Sequence, residues 1–261
     1  MKIASWNING IKARHDVVLE WLKQADPDIA CLQEIKSVDE NFPRASFEAL
    51  GYNVETHGQK GFNGVAILSK MPFDEVDRGL PGDEEDEQAR FIEGVFSTRD
   101  GVLRVVSLYL PNGNPPDDPR KFDYKLRWMD RLIAWSADRL ELEEPLILAG
   151  DYNVIPQDED CWDPASWQGD ALFLPQSRSR FEQLKSLGFT EALRTSTHED
   201  GIYTFWDYQA GAWPKNHGIR IDHLLLSPEA TLRFEGCSVD SYVRDWEKPS
   251  DHVPIWLNYA A

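Results

Sequence analysis

The stretch Pro145-Leu146-Ile147-Leu148-Ala149-Gly150-Asp151-Tyr152-Asn153 decides the fold of this chain. It is a short apolar run bounded by proline and glycine, which is typical of a buried strand. Side chains two residues apart on a strand point to the same face, so Asp151 and Asn153 are predicted to project together from its end. Such a pair can hold a metal ion, orient a water molecule or bind a phosphate oxygen. A strand that merely ends in an Asx turn would look the same.

The composition is ordinary for a soluble globular protein. The chain has 261 residues, of which 41% are hydrophobic and 28% are charged, and this length is enough to bury a sizeable core. No shift in composition marks a linker, so we expect residues 1–261 to form a single domain. The ten tryptophans are a high number, and some of them can offer a flat surface for a base or a sugar.

The cysteines Cys31, Cys161 and Cys237 lie far apart and lack the CxxC spacing of a structural zinc site. They argue against a disulfide framework and favour a reducing compartment. The N-terminal residues contain no long apolar segment typical of a secretory signal, and no run approaches the length of a membrane span. We expect a cytoplasmic protein of bacterial type with no membrane partner, and we also expect a monomer.

The net charge of −18, from 45 acidic and 27 basic residues, counts against non-specific attraction to nucleic acid. It does not exclude nucleic acid, because the positions of the basic side chains matter more than the total. A metal-dependent site also concentrates carboxylates, and a surface adapted for solubility or salt explains the excess equally well. The acidic run Asp83-Glu84-Glu85-Asp86-Glu87 is predicted to be a solvated loop.

Two parts of the chain, Lys2–Glu34 and Val102–Asp151, share one order of elements: strand, Asn-Gly turn, helix, proline, strand and carboxylate. This similarity predicts an α/β fold in which two similar layers pack face to face. The carboxylates of Glu34 and Asp151 are then expected at one rim.

A long helix is predicted over Arg120–Leu140, with one apolar face and a basic remainder. The predicted buried face contains Phe122, Leu126, Met129, Leu132 and Ile133, and the basic remainder contains Arg120, Lys121, Lys125, Arg127 and Arg131. The sequence also predicts a hairpin from Phe91–Ser97 and Val102–Leu110, a strand or strand end at Ile202–Tyr208, and strands at Arg220–Ser227 and Val239–Val243.

Polar residues of matched type end several predicted strands. They are Asn7, Glu34, Tyr109, Asp151 with Asn153, Asp222, and Asp251 with His252. Taken singly, a glutamate at a strand end is usually a solvated cap, and an Asp-His pair is usually a surface pair. Convergence of the whole set in one α/β domain would be hard to attribute to chance.

The chemistry that needs such a set is metal-assisted attack on a phosphodiester. Glu34 and Asp251, helped by Asn7, are oxygen ligands that suit a hard ion such as Mg²⁺ rather than zinc. A metal ion there would stabilise charge on the phosphate and on the leaving oxygen. Asp151 can take a proton from water as a general base.

The remaining polar residues suit the phosphate. Asn153 and Asn112 can fix the water or the phosphate by hydrogen bonds, and Tyr109 can donate to the phosphate or stabilise the leaving group. His252, held by Asp222, can supply a positive charge and a donor to a non-bridging oxygen.

Six short motifs occur in order and span nearly the whole chain. They are Trp6-Asn7-Ile8-Asn9-Gly10, Leu32-Gln33-Glu34, Tyr109-Leu110-Pro111-Asn112-Gly113, Gly150-Asp151-Tyr152-Asn153, Arg220-Ile221-Asp222 and Pro249-Ser250-Asp251-His252. They resemble the endonuclease/exonuclease/phosphatase superfamily and, within it, the exodeoxyribonuclease III branch of abasic-site endonucleases. The resemblance implies a four-layer αββα sandwich, an Mg²⁺ or Mn²⁺ ion, and double-stranded DNA as the partner. It also implies hydrolysis 5′ to abasic sites and 3′→5′ trimming of ends, as in base excision repair.

The resemblance also implies roles for the matching residues. The implied metal ligands are Asn7, Glu34, Asp151, Asn153, Asp251 and His252, with Glu34 as the principal one. Asp151 is implied to orient or deprotonate the water, with support from Asn153. Tyr109 and His252 are implied to contact the scissile phosphate, and Asp222 to pair with His252.

Phe205 and Trp206 stand where the family places aromatic residues that wall the pocket for the abasic sugar. Ile219 takes a neighbouring position at which some relatives carry a larger aromatic residue. A sugar without a base flips out of the duplex cheaply, and an apolar wall then excludes nucleotides that keep their base. The alternative for Phe205 and Trp206 is a pair of core aromatic residues.

Contacts with the DNA backbone are expected from loops around a set of basic residues. These are Lys60, Arg90, Arg120, Lys121 and Lys215. The alternative for each of them is an ordinary solvated charge.

Two other functions remain open on the sequence. The first is a superfamily relative that hydrolyses another phosphodiester or phosphomonoester, such as RNA, sphingomyelin or an inositol phosphate. The second is a catalytically silent scaffold that binds DNA ends. The motif Arg220-Ile221-Asp222, together with Tyr203-Thr204-Phe205-Trp206, favours the DNA branch, and retention of every polar strand end favours an active enzyme.

Overall fold

The computed structural model describes residues 1–260, and two six-stranded sheets are found within this range. The spatial order of the first sheet is β11-β12-β1-β2-β4-β3. Its strands are β1 (Lys2–Asn7), β2 (Ile29–Gln33), β3 (Asn53–His57), β4 (Val65–Ser69), β11 (Phe234–Val239) and β12 (Ile255–Tyr259). β1 pairs in parallel with β2 and antiparallel with β12, so the sheet is mixed.

The second sheet has the order β5-β6-β7-β8-β10-β9. Its strands are β5 (Glu75–Arg78), β6 (Phe91–Thr98), β7 (Gly101–Tyr109), β8 (Leu146–Asp151), β9 (Thr190–Glu191) and β10 (Asp222–Leu226). β7 and β8 are parallel, whereas β6 pairs antiparallel with β7 in the predicted hairpin and β10 pairs antiparallel with β8.

Helices cover the outer faces of the two sheets. The α-helices are α1 (Ile11–Ala25), α2 (Arg44–Glu48), α3 (Pro119–Leu140), α4 (Pro164–Trp167), α5 (Pro175–Ser186), α6 (Ala192–Ser196) and α7 (Pro228–Thr231). Short 3₁₀ segments occur at Asp39–Asn41, Asp158–Asp160 and Ser241–Asp245. Along residues 1–260, no helix is both long and apolar enough to cross a membrane.

The two similar parts of the sequence form two similar structural units. In each unit a helix connects two parallel neighbouring strands: α1 joins β1 to β2, and α3 joins β7 to β8. One unit lies in each sheet. Since the carboxyl ends of parallel strands lie at one edge of a sheet, each unit brings its terminal carboxylate to that edge.

Three hydrophobic clusters define four layers. One cluster fills the space between the sheets and includes Ile3, Ile67, Val105 and Leu224. A second packs α1 against the outer face of the first sheet, and a third packs α3 and α5 against the outer face of the second. The predicted four-layer αββα sandwich is therefore confirmed.

The period of a strand explains why polar residues meet between the sheets. The inward-facing residues of β1 and β8 begin as apolar core, with Ile3 in one and Ile147 in the other. Two-residue alternation then carries the same face to Asn7 and Asp151 at the strand ends. The apolar core between the sheets thus ends at one rim in polar side chains.

Three predictions for the fold are wrong. Val239–Val243 is not a strand: β11 ends at Val239, and a 3₁₀ segment follows. Ile202–Tyr208 forms no regular strand, and only Phe205 makes isolated bridges. Lys125 does not belong to the basic remainder of α3, because its side chain is buried. Trp128 and Trp135, which periodicity did not single out, also lie on the buried face of this helix.

Candidate active site

Asn7 lies at the centre of the polar rim, at the end of β1. Its side-chain amide donates to Glu34 Oε1 at 2.8 Å and to Asp151 Oδ2 at 2.9 Å. Its own Oδ1 accepts from the backbone N–H of Asn9 at 3.0 Å, which fixes the orientation of the amide. One buried amide therefore links a carboxylate of each sheet, and both hydrogen bonds are charge-assisted.

Glu34 follows β2 directly and has a left-handed backbone, with φ of 50°. Its Oε2 lies 3.1 Å from Lys36 Nζ, and Lys36 also donates to Asn9 Oδ1 at 2.6 Å. Burial alone would raise the pKa of the Glu34 carboxyl, but the Asn7 amide and the Lys36 ammonium outweigh it and lower the pKa. Glu34 is thus held as an anion.

Asp151 ends β8 and is buried. Its Oδ1 accepts from the backbone N–H of Asn153 at 2.9 Å, so an Asx turn is indeed present. The same carboxylate also faces the rim through Oδ2. Burial raises the pKa of Asp151 well above its ordinary value, and the nearby His252 partly opposes this.

His252 is held from two sides by carboxylates. Its Nδ1 lies 2.8 Å from Asp222 Oδ2, and its Nε2 lies 3.6 Å from Asp151 Oδ2. Burial opposes a charge on the imidazole, but Asp222 and Asp151 outweigh it and raise the pKa of His252 to about 10. A protonated His252 is a donor through both ring nitrogens.

The structure brings three of the six predicted metal ligands into one group. One ligand atom from each of Glu34, Asp151 and His252 lies within 4.8 Å of the others. The two carboxylates are the oxygen donors that a hard divalent cation prefers. Asp222 Oδ1 is also buried without a hydrogen-bond partner. The two carboxylates therefore suit a hard divalent cation better than a structural zinc ion, which is usually held by thiolate and imidazole ligands.

The other predicted ligands have different partners. Asn7 bridges the two carboxylates through its amide. Asp251 Oδ1 accepts from Asn9 Nδ2 at 3.2 Å. Asn153 donates its side-chain amide to Leu110 O at 2.8 Å, and its Oδ1 accepts from Asn112 Nδ2 at 3.2 Å. These residues line the rim, and their direct contact with a metal stays a prediction.

Tyr109 ends β7, and Arg90 packs against it. The Arg90 guanidinium carbon lies 4.8 Å from the centre of the Tyr109 ring, and Arg90 Nη1 donates to Tyr109 O at 3.2 Å. Burial and the carboxylates of Glu34 and Asp151 raise the pKa of Tyr109 well above its ordinary value. The phenol therefore keeps its proton and can act as a hydrogen-bond donor.

The predicted pocket residues lie at different depths. Phe205 forms bridges with both Ile219 and His252, and its ring centre lies 5.0 Å from that of the histidine. Trp206 and Ile219 are only 2% and 1% exposed. Trp206 Nε1 donates to Asn216 Oδ1 at 3.0 Å. Phe205 thus borders the site, whereas Trp206 is buried, and the role of both residues in a sugar pocket stays a prediction.

Of the predicted backbone-contact residues, some lie in loops and two lie in the first turn of α3. Lys60, Arg120, Lys121 and Lys215 are exposed, and Arg90 is partly buried. Arg120 is paired with Asp118 at 2.9 Å. Contact of these side chains with DNA stays a prediction.

Sequence reasoning missed two residues of the rim, Asn9 and Lys36. Asn9 was interpreted only as part of a turn, yet its side chain contacts Lys36 and Asp251. Asn9 lies two residues beyond Asn7, and Lys36 lies two residues beyond Glu34. This spacing is the only signal in the sequence, but the rule that side chains two apart share a face holds only within a strand, and both residues lie beyond the strand ends.

Comparison with known proteins agrees with the six sequence motifs. The model of the endonuclease/exonuclease/phosphatase family matches residues 4–252. Exodeoxyribonuclease III of Haemophilus influenzae is 35% identical over 266 residues, which cover 99% of this chain and 100% of that protein. Two solved structures each cover 100% of both chains. The Neisseria 3′ phosphatase NExo bound to a product DNA hairpin has a TM-score of 0.95 and 36% identity, and an AP endonuclease from Archaeoglobus fulgidus has a TM-score of 0.94 and 35% identity. The chain belongs to the endonuclease/exonuclease/phosphatase family.

Proposed function

We propose that this protein is a DNA-repair nuclease that cleaves double-stranded DNA 5′ to abasic sites and trims 3′ ends. The observation that carries the proposal is the group of Glu34, Asp151 and His252 within 4.8 Å at one rim of the sandwich. The substrate is inferred from the relatives, which are named exodeoxyribonuclease III, 3′ phosphatase and AP endonuclease. They match this chain over its whole length.

The cofactor is proposed to be Mg²⁺, with Mn²⁺ as a substitute. Glu34 would be the principal ligand of the ion, with Asn7, Asp151, Asp251 and His252 beside it. A divalent cation bound there would stabilise negative charge on the phosphate and on the leaving oxygen.

Asp151 is proposed to accept the proton of the attacking water. A general base works best when its pKa is close to the operating pH, and burial raises the pKa of Asp151 in that direction. The side chain is fixed by donors at both oxygens, from Asn153 and Asn7. Asn153 and its partner Asn112 would orient the water or a phosphate oxygen.

His252 and Tyr109 are proposed to bind the scissile phosphate. Asp222 fixes the imidazole through Nδ1, which leaves Nε2 on the side of Asp151 and the rim. That nitrogen would donate to a non-bridging oxygen and would place positive charge beside it. Tyr109 would donate from its phenol on the opposite side, supported by Arg90.

Phe205 is proposed to form the apolar wall next to the phosphate site. An abasic sugar can be turned out of the duplex at low cost, and Phe205 would pack against it and exclude a nucleotide that keeps its base. Trp206 and Ile219 would support this wall from behind. Lys60 and Arg90 are proposed to bind backbone phosphates nearby.

The active species is proposed to be a cytoplasmic monomer.

The test is cleavage of a labelled duplex that carries one abasic analogue, alongside a duplex with a recessed 3′ end. Each is incubated with Mg²⁺, with Mn²⁺ or with EDTA. We expect incision at the lesion, shortening of the recessed end, or both, and no cleavage in EDTA. Cleavage that persists in EDTA would exclude the metal mechanism. Failure to cut either duplex, together with hydrolysis of RNA or an inositol phosphate, would favour the other branches of the superfamily.

A further inference from the structure

Lys125 is a buried lysine close to the site but outside the proposed machinery, and burial lowers its pKa to about 7. Its amino group can donate hydrogen bonds in either protonation state. Lys125 lies on α3, where it is 0% exposed and shares the inner face of the helix with Phe122 and Met129. Burial of a lysine costs both the hydration of its head group and the entropy of its long side chain. A methionine there would fill similar space without that cost.

The head group of Lys125 contacts the two asparagines of the rim from behind. Its Nζ donates to Asn153 O at 2.6 Å and to Asn112 O at 3.1 Å. These carbonyls belong to the segments that follow β8 and β7. The side chains of the same two asparagines share a hydrogen bond of 3.2 Å, from Asn112 Nδ2 to Asn153 Oδ1. The segments that follow β7 and β8 are thus joined twice: by the Lys125 amino group, which donates to a carbonyl of each, and by the hydrogen bond between the two asparagine side chains.

The segment that follows β8 has a backbone conformation that needs support, because Asn153 is a non-glycine residue at positive φ. Asn153 has φ of 46°, and Gly113, which follows Asn112, has φ of 85°. A Cβ atom on Gly113 would lie 2.6 Å from Lys125 Cδ, so the segment runs directly against the lysine stem. A left-handed residue keeps its conformation only where its surroundings hold it. The buried amino group of Lys125, which donates to the carbonyl of Asn153 itself, is such a support.

We propose that Lys125 is a positioning residue for phosphodiester cleavage: it holds the carbonyls of Asn112 and Asn153, and so sets how their side-chain amides face the water and the phosphate. The proposal rests on the function proposed above. Because the two carbonyls and the two amides belong to the same peptide segments, loss of the Lys125 amino group would let both segments tilt. Such a shift would lower turnover more than binding, since the proposed backbone contact of Lys60 involves neither segment.

The test compares Lys125→Met with Met129→Ala. Met129 lies one turn further along the same buried face and has no hydrogen bond to either segment, so it reports the effect of a damaged core. We expect Lys125→Met to lower kcat about tenfold or more with KM within about twofold of wild type. Met129→Ala should reduce stability while kcat stays near wild type. Lys125→Gln, which keeps a donor that reaches one carbonyl, should fall between wild type and Lys125→Met.

Hydrogen exchange supplies a measurement that does not depend on nuclease activity. Backbone amides of residues 110–114 and 152–155 should exchange faster in Lys125→Met than in Met129→Ala, at conditions where the two variants have equal free energies of unfolding. If Lys125→Met does not fold, Lys125→Gln takes its place in the comparison. A kcat within twofold of wild type together with unchanged exchange would overturn the proposal, as would equal effects of Lys125→Met and Met129→Ala. If the wild type cleaves no DNA, the proposed function fails, and the exchange data still decide whether Lys125 holds the two segments.

Discussion

Asp151→Asn tests the proposed general base most directly. Asp151 accepts at Oδ1 from the N–H of Asn153 and at Oδ2 from the amide of Asn7, each at 2.9 Å. Asparagine has a single acceptor oxygen, so one of these donors must face an NH₂ group whichever way the new amide is turned. The variant therefore loses a hydrogen bond and gains a contact between two donors.

The expected effect on stability is small. An unpaired buried group costs about 1–3 kcal/mol. Burial of the Asp151 carboxylate is unfavourable, as its raised pKa shows. A neutral amide removes this buried charge, and its removal offsets part of the cost of the unpaired group. The free energy of unfolding should therefore change by less than about 2 kcal/mol. The loss of a general base lowers the rate by about 10²–10⁴-fold, or about 3–5 kcal/mol of barrier.

The assay is single-turnover cleavage of the abasic duplex, with DNA affinity measured separately by fluorescence anisotropy. Asp28→Asn is the matched control. Its carboxylate accepts from the N–H of Lys2 at 2.7 Å, at the opposite end of the first sheet, and the change should leave cleavage unaltered. If Asp151→Asn cleaved within tenfold of wild type, with its fold and DNA binding intact, the base would have to be another group.

The remaining predictions concern the imidazole, salt and acid stability. Asp222→Asn removes the carboxylate that fixes His252 Nδ1, so turnover should fall about 10³-fold or more with little change in KM; steady-state kinetics with near-native turnover would contradict this. Cleavage should weaken steeply as NaCl rises from about 50 to 200 mM, because backbone contacts displace counterions, and a flat salt profile would remove the electrostatic argument. Glu191 pairs with buried Arg220; burial raises the pKa of Glu191, but His223 and Arg220 outweigh it and lower the pKa below its ordinary value. Because the pKa of Glu191 is lower in the folded state than in the unfolded state, its ionised carboxylate stabilises the fold above about pH 4. This stabilisation is lost progressively as the pH falls further. Urea unfolding should therefore show Glu191→Gln less stable by about 3–5 kcal/mol at pH 7, with a difference that shrinks towards pH 3; a gap independent of pH would contradict the ion pair.

The part of the site that lies on parallel strands could be predicted from sequence. β1 and β8 each end in a polar residue on the inward face, and both strands carry apolar residues at alternate positions before it. Period-two alternation and the rule that parallel strands end at one edge therefore suffice for Asn7 and Asp151. The similarity of the two units predicted that Glu34 and Asp151 share one rim, although alternation alone would direct the Glu34 side chain outward.

The residues on antiparallel strands were harder to place. Asp222 begins β10 and is opposite Asp151, the last residue of β8, and His252 precedes β12. An antiparallel strand begins at the edge where its neighbour ends, so these residues reach the rim from the start of a strand. Only the long-range register between strands, which the sequence does not show, establishes this position.

Lys125 was predicted to be exposed but is buried. Its position on α3 is that of a core residue, but a lysine is normally expected at the surface. The two groups that accept hydrogen bonds from it are backbone carbonyls, and no pattern of side chains in the sequence predicts them.

Glu34 shows how backbone strain can serve the site. Gln33 holds the inward position at the end of β2, where its amide donates to Ser107 Oγ of the other sheet at 3.0 Å. Continued alternation would direct Glu34 outward, towards α1. The left-handed conformation of Glu34, which is uncommon for glutamate, turns its carboxylate back to Asn7. The strain is offset by the N–H of Gly10, which donates to Glu34 O at 2.7 Å. An unfavourable local conformation is thus what brings the carboxylate of the first sheet to that of the second, and for that reason local sequence preferences alone could not predict it.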